Sequence, residues 1–192
     1  MRQIKNLIGT ESLDPSGDPI DLVDPSTGEV FATANASTAE DVDHACRTAL
    51  TAFKSWKNST PSDRQKGLLA IADIIEEHAD ELVELESENT GKPVAVTHSE
   101  EIIPMIDQVK FFAGAARVIE GKSAGEYLAG YTSMIRREPV GVIGQVAPWN
   151  YPLMMAIWKF APAIAAGNAV VLKPSDTTPV STVRLAELVA EA

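Results

Sequence analysis

The sequence predicts an α/β fold organised on a parallel sheet that is incomplete at its C-terminal end, and three features predict it. Val140–Ala147 and Ala169–Lys173 are short, β-rich apolar runs of the kind that suits parallel strands covered on both faces. Between them, Leu153–Ala166 reads as a buried helix, opened near Pro152 and closed by Gly167-Asn168. The resulting βαβ unit is expected to cross over right-handed. After the second strand, Pro179–Ala192 starts another helix with Val180, Val183, Leu185 and Leu188 on its apolar side, and no third strand follows. Lys159 is the only charge between Val140 and Leu172, which first suggests a membrane span. Pro148, Asn150, Pro152, Pro162, Gly167 and Asn168 cut that run into pieces, none supplying the ~20 apolar residues a spanning helix needs.

Upstream, Gln3–Ile8, Pro19–Val23 and Val30–Ala34 read as short strands of a meander or edge hairpin, separated by Asp14–Asp18 and Asp24–Gly28 turns. Ser37-Thr38-Ala39-Glu40 reads as a capping box. It opens a helix with Val42, Ala45, Cys46, Ala49, Leu50, Phe53 and Trp56 on one face, ending near Trp56. Thr60-Pro61 starts a second helical stretch, with Leu68, Ile71, Ala72, Ile75, Ala79, Leu82 and Leu85 inward. His78-Ala79-Asp80 is a candidate break in it, and Gly91 its C-cap. Ser99–Glu120 reads as a third amphipathic helix, Pro104 in its first turns, with Ile102, Met105, Ile106, Val109, Phe112, Ala113, Ala116 and Ile119 inward, and Gly121 ending it. Ser123–Tyr131 is glycine-rich and turn-like, and Thr132–Glu138 reads as an exposed strand.

Of the residues, 45% are hydrophobic and 22% charged, as in ordinary globular chains. The net charge of -11 argues against nucleic acid or an anionic membrane as partner. Cys46 is the only cysteine, so neither an intramolecular disulfide nor a thiolate metal cluster is expected; packing on a helix face is its expected role. His78 and His98 have no Cys or His at ligand spacing and are read as surface residues, with no metal site. The N-terminus lacks a signal-peptide apolar region, which points to a cytoplasmic setting.

Ligands of open α/β sheets sit beyond the carboxyl ends of the strands. The polar residues there are Trp149-Asn150 and Lys173-Pro174-Ser175-Asp176. The stretch E-P-V-G-V-I-G-Q-V-A-P-W-N-Y-P, the block W-K-F-A-P-A-I-A-A-G-N-A-V-V-L-K-P-S and the following T-T-P resemble the NAD(P)-dependent aldehyde dehydrogenase superfamily in order and spacing. D-P-S-T-G-E-V, E-N-T-G-K-P and F-F-A-G-A-A-R fit as well, and G-E-Y-L-A-G-Y-T-S-M-I-R-R-E-P-V-G-V is most similar to gamma-aminobutyraldehyde dehydrogenases, with betaine aldehyde dehydrogenases close by.

The resemblance covers nearly the whole chain but only the N-terminal part of a family member. It implies a Rossmann-like NAD-binding sheet starting within 139–192, preceded by the strands and helices of 1–122 and an oligomerisation strand segment at 123–138. The catalytic domain, with the nucleophilic cysteine, general-base glutamate and glycine-rich phosphate turn, is expected beyond Ala192. It implies NAD-dependent oxidation of an aldehyde, such as 4-aminobutanal, by a homo-oligomer (dimer or tetramer), and no activity for this chain alone. Asn150 matches the family's oxyanion donor; settling the turn before the helix is its other reading. Lys159 matches a lysine in a proton relay, with snorkelling to the surface as the competing account. Lys173 and Asp176 match the pair placed on the adenosine ribose, favouring NAD over NADP, with Asp in place of the more usual Glu. The cofactor-binding set implied is Ala147, Pro148, Trp149, Asn150, Lys173, Pro174, Ser175 and Asp176. Tyr151, Met155 and Trp158 match the substrate tunnel, with Glu100 and Glu101 as candidate acids for an aminoaldehyde cation. A betaine aldehyde or semialdehyde enzyme and a non-catalytic nucleotide-binding or assembly module are the alternatives.

Overall fold

A computed structural model describes residues 1–192. Three short strands begin the chain, β1 (Arg2–Ile4), β2 (Asn6–Ile8) and β3 (Glu11–Leu13), followed by β4 (Pro19–Val23) and β5 (Val30–Asn35). The expected first strand is thus two strands that serve different sheets. β1 pairs parallel to β5, with β4 antiparallel on the other side, while β2 turns back on β3. This exceeds a simple meander because β1 returns beside β5 rather than β4.

Helix α1 (Ala39–Trp56) begins one residue later than the first box in the sequence suggests. Thr38 accepts from the Asp41 amide, and Asp41 accepts from the Thr38 amide at 2.8 Å. Ser37 is unavailable as a cap because its hydroxyl takes the Asn6 side-chain amide at 2.9 Å. The same chemistry opens α2 (Pro61–Glu77), where Thr60 and Asp63 exchange backbone and side-chain bonds and proline occupies the first turn. His78 separates α2 from α3 (Ala79–Thr90), which ends at Gly91 in the left-handed region, φ 76°. His78 is only partly exposed and faces Glu81 at 3.2 Å, whereas His98 lies at the surface.

The third amphipathic segment starts earlier than Ser99. A short α4 (Val94–Thr97) leads into a π-helical turn (His98–Ile102) and then α5 (Ile103–Ala115). Pro104 lacks an amide and its ring crowds the carbonyl four residues back, so the turn before it widens and the Ile103 amide reaches the His98 carbonyl. The helix stops at Ala115 rather than Gly121, and Ile119, expected inside, is exposed. Past it the chain turns towards β6 (Lys122–Leu128), and the Glu120 carbonyl accepts from Arg137 at 2.9 Å. The glycine-rich stretch is therefore mostly strand: β6 pairs antiparallel with β7 (Tyr131–Ile135) across the Ala129-Gly130 turn.

Val142–Val146 forms β8, Pro152–Ala165 forms α6, Ala169–Lys173 forms β9 and Val180–Glu191 forms α7. β8 and β9 are parallel and in register from Val142↔Ala169 to Val146↔Lys173. Asn168 fixes the start of this pair, its Oδ1 accepting the Val140 and Gly141 amides at 2.7 and 3.0 Å. These strands were expected to be fully covered. They are half-buried, and the main core is helical, made by Leu68, Ile75, Leu82, Met105, Leu153 and Ile157 of α2, α3, α5 and α6. A smaller core joins Ile4, Leu22 and Ala32 to Leu85 and Val180. The apolar face of α1 also lies more open than expected: it packs on β2, β8 and β9, yet Cys46 is exposed and Val42 and Leu50 are each 50% exposed. A two-strand sheet is too narrow to cover an 18-residue helix.

Leu68→Ala is expected to destabilise the chain by about 2–5 kcal/mol, because a fully buried side chain leaves a cavity. Leu50→Ala on α1 is expected to cost under about 0.5 kcal/mol. Urea unfolding midpoints of the two variants check this, and equal losses would contradict the helical core.

Candidate functional site

The in-register pairing of β8 with β9 brings their carboxyl ends together. The Ala147 amide donates to the Lys173 carbonyl at 2.9 Å, so the two following loops leave the sheet side by side. They meet over a cleft of about 370 Å³. One loop contributes Trp149 and Asn150, the other Thr177 and Thr178, and the far wall comes from Asn89 and Lys92 at the end of α3, with β4 below. Asn150 and Trp149 are exposed towards this space, whereas Ala147 is buried. Lys173 and Asp176 lie just outside the cleft, exposed and joined at 2.6 Å.

The sequence motif E-N-T-G-K-P lines the same cleft as Asn150, although no site role attached to it from sequence. Asn89 is buried and clamps the second loop: its side-chain amide donates to the Thr177 carbonyl at 2.9 Å, and its oxygen accepts the first amide of α7, Val180, at 3.3 Å. The available signal was the motif's place at the end of a helix, just ahead of the Gly91 cap. No sequence pattern specifies that its partner is 88 residues away.

Behind the Trp149-Asn150 loop lies a buried polar cluster. Glu86 of α3 is 1% exposed. It accepts the Leu153 amide in the first turn of α6 at 3.4 Å and the Ser181 hydroxyl in the first turn of α7. Burial pushes the Glu86 carboxyl up to about 7, reinforced by Glu101 and opposed by the Ser181 bond, Lys92 and the Leu153 amide. Glu101, also 1% exposed, binds Lys92 at 2.6 Å, and the Lys92 ammonium sits 4.0 Å from the centre of the Tyr151 ring. Glu100 and Glu101 therefore part company. They lie on the π turn rather than at a helix start, and only Glu100 is exposed; Glu101 is buried and neutralised by Lys92.

Tyr151, Met155 and Trp158 share one side of α6 at helical spacing, Trp158 and Tyr151 exposed and Met155 half-buried. Lys159, on the same helix, is half-buried, and its carbonyl accepts from Gln145 at 2.8 Å. Pro148 is exposed, and Pro174 and Ser175 continue the second loop, half-buried. Cys46 sits mid-α1, on neither loop. No group of acidic, histidine or cysteine side chains is arranged to hold a metal ion, and no helix is long and apolar enough to cross a membrane.

Residues 13–192 match the model of the aldehyde dehydrogenase family. A Burkholderia cenocepacia structure bearing the name aldehyde dehydrogenase is 39% identical with a TM-score of 0.93, covering 100% of this chain and 39% of that one. A double mutant of Staphylococcus aureus betaine aldehyde dehydrogenase, in complex with NAD+, is 36% identical with a TM-score of 0.92 over 98% of this chain and 38% of its own. The NAD+ complex of a Bacillus cereus aldehyde dehydrogenase is 36% identical with a TM-score of 0.93 over 99% of this chain and 39% of its own. The chain thus spans 38–39% of the length of these relatives. With this family match over nearly the whole sequence and this agreement in fold, the chain belongs to the aldehyde dehydrogenase family, as an N-terminal part of its α/β fold.

Proposed function

We propose that this segment supplies the NAD-binding edge and the oxyanion donor of an enzyme that oxidises a small aldehyde, with aminoaldehydes such as 4-aminobutanal as the substrate class. The observation that carries the reading is the convergence of the β8 and β9 exit loops on one cleft, with Asn150 exposed within it. The residues present fit the cofactor. An exposed carboxylate and ammonium stand together at a strand exit, where Asp176 can accept from a ribose diol and would repel a 2′-phosphate, while Lys173 holds the neighbouring hydroxyl. Ala147, Pro148, Trp149, Pro174 and Ser175 supply the surrounding backbone and loop surface. NAD, when bound, accepts the hydride that the aldehyde carbon gives up.

The Asn150 side-chain amide donates a hydrogen bond to the oxygen on which charge develops, and one such donor lowers the barrier by about 3 kcal/mol. Being neutral, it adds no competing proton chemistry. Tyr151, Met155 and Trp158 form an apolar wall for the carbon chain, and Glu100 is the acid open to an aminoaldehyde cation. Lys159 serves as the proton-relay lysine in this reading. The similarity of wording to gamma-aminobutyraldehyde dehydrogenases supports the aminoaldehyde class, with betaine aldehyde or a semialdehyde as the nearest alternatives.

One observation favours an assembly role alongside chemistry. In the β6–β7 hairpin every residue but Gly125 is exposed, including Tyr127, Leu128, Tyr131 and Met134. A two-stranded ribbon is marginal alone, and we assign 123–138 to contacts between subunits of a homo-oligomer. The divisions 1–122 and 139–192 belong to the nucleotide-binding part in the same reading, and a reducing cytoplasm suits the free Cys46.

Three outcomes are expected. The 192-residue chain forms no NADH from NAD and 4-aminobutanal, since its one cysteine is remote in sequence from both loops; measurable turnover would refute this. Asp176→Ala narrows the preference for NAD over NADP in calorimetric titrations, and unchanged selectivity would remove the ribose assignment. In the enzyme carrying this segment, Asn150→Ala lowers kcat by roughly 100-fold with NAD affinity retained; an unaltered kcat would end the oxyanion role.

A further inference from the structure

We propose that Glu86 is a positioning residue: its buried carboxyl group, bound at once to the first turns of α6 and α7, holds the Trp149–Tyr151 loop so that the Asn150 amide faces the cleft. The geometry explains why such a holder is needed. α6 begins with Tyr151, whose side chain does not cap it, followed by Pro152, which has no amide. Leu153 offers its first-turn amide, and Glu86 accepts it at 3.4 Å. The other Glu86 oxygen takes the Ser181 hydroxyl, so one carboxylate ties the starts of both helices that follow the two loops. Between Asn150 and Leu153, the Tyr151 ring rests on Lys92, which is itself fixed by buried Glu101. Asn150 is therefore followed closely by two anchored residues and preceded by Ala147, whose amide is bound to the Lys173 carbonyl, while its own side chain is exposed.

The anchors carry an uneven charge. Two buried carboxylates, Glu86 and Glu101, share one ammonium, Lys92. Glu101 has the direct contact, leaving Glu86 to relieve the imbalance by taking up a proton near neutrality. These are the charged groups that bear on Glu86: Glu101 from the π turn and Lys92 from the segment after α3, while α6 and α7 present the Leu153 amide and Ser181 hydroxyl. Arg184 of α7 is committed to Glu81 of α3 at 2.6 Å. The folded chain keeps the Glu86 proton up to about pH 7, whereas the unfolded chain releases it near 4.5. Stability accordingly falls as pH rises through that window, and the loop loses a neutral anchor over its upper end.

This inference rests on Asn150 being the oxyanion donor, yet its test does not depend on turnover. Amide spectra of the isotope-labelled 192-residue chain are followed through the pH window, reading the Leu153 backbone amide and the Asn150 side-chain amide. Both are expected to move together with one midpoint near 7. Glu86→Gln, which keeps hydrogen-bonding capacity but cannot ionise, is expected to abolish that transition at both probes. Glu101→Gln should lower the midpoint, and Ser181→Ala should raise it. If Glu86→Gln fails to fold, the Ser181→Ala shift decides: movement at both probes supports the coupling. A Leu153 transition without one at Asn150, or no transition at either, overturns it. Absence of NAD binding by the same sample would count against the proposed function and leave this coupling standing.

Discussion

The register of one strand pair governs the rest of this molecule. Because Val146 lies opposite Lys173 in a parallel ladder, the chain leaves both strands at the same level and on the same edge. A slip by a single residue would turn every side chain of one strand to the other face. Asn168 guards against it, gripping the Val140 and Gly141 amides just before the first paired residue and tying itself to the Ala163 carbonyl at 3.2 Å. An amide side chain at the end of α6 thus sets where Asn150 emerges, through a ladder only five residues long.

What the ladder begins, buried polar groups complete. Asn89 fastens the second exit loop, Glu86 fastens the helix after the first, and the Lys92–Glu101 pair fixes Tyr151 beside it. All four side chains come from one stretch, 86 to 101, which also carries the Gly91 reversal. Ionised groups in an interior are costly unless paired, and this cluster is incompletely paired, as the free Glu101 Oε2 shows. Concentrating that cost behind the cleft, rather than in the helical core, is consistent with a precisely held surface loop as its return.

Much of this arrangement was legible in the sequence, for identifiable reasons. β4, β9, the end of α1 at Trp56, the Thr60-Pro61 start and the Gly91 cap follow from turn and cap chemistry that acts within a few residues. The same logic misplaced the first capping box by one position, because Asn6, far away in sequence, had claimed Ser37. It also missed the π turn, whose cause is a single proline, and it read β6 as a turn because its glycine obscured the strand alternation. The family resemblance singled out Asn150 and the loop residues, and the β8 and β9 exits do leave the sheet side by side. The partners that hold them were not legible, since Glu86, Asn89 and Lys92 reach the loops and the helices after them only through tertiary contacts spanning 59 to 95 residues. Cys46 shows the reverse error: helical spacing placed it on an apolar face, but the strands that pack on α1 leave Cys46 itself exposed.

The central claim is that two strand exits form one nucleotide cleft. Hydrogen exchange of the chain with and without NAD tests it most directly. The account predicts slowed exchange in both loops, 147–151 and 174–178, at one and the same NAD concentration dependence. Protection confined to a single loop, or to neither, would contradict it.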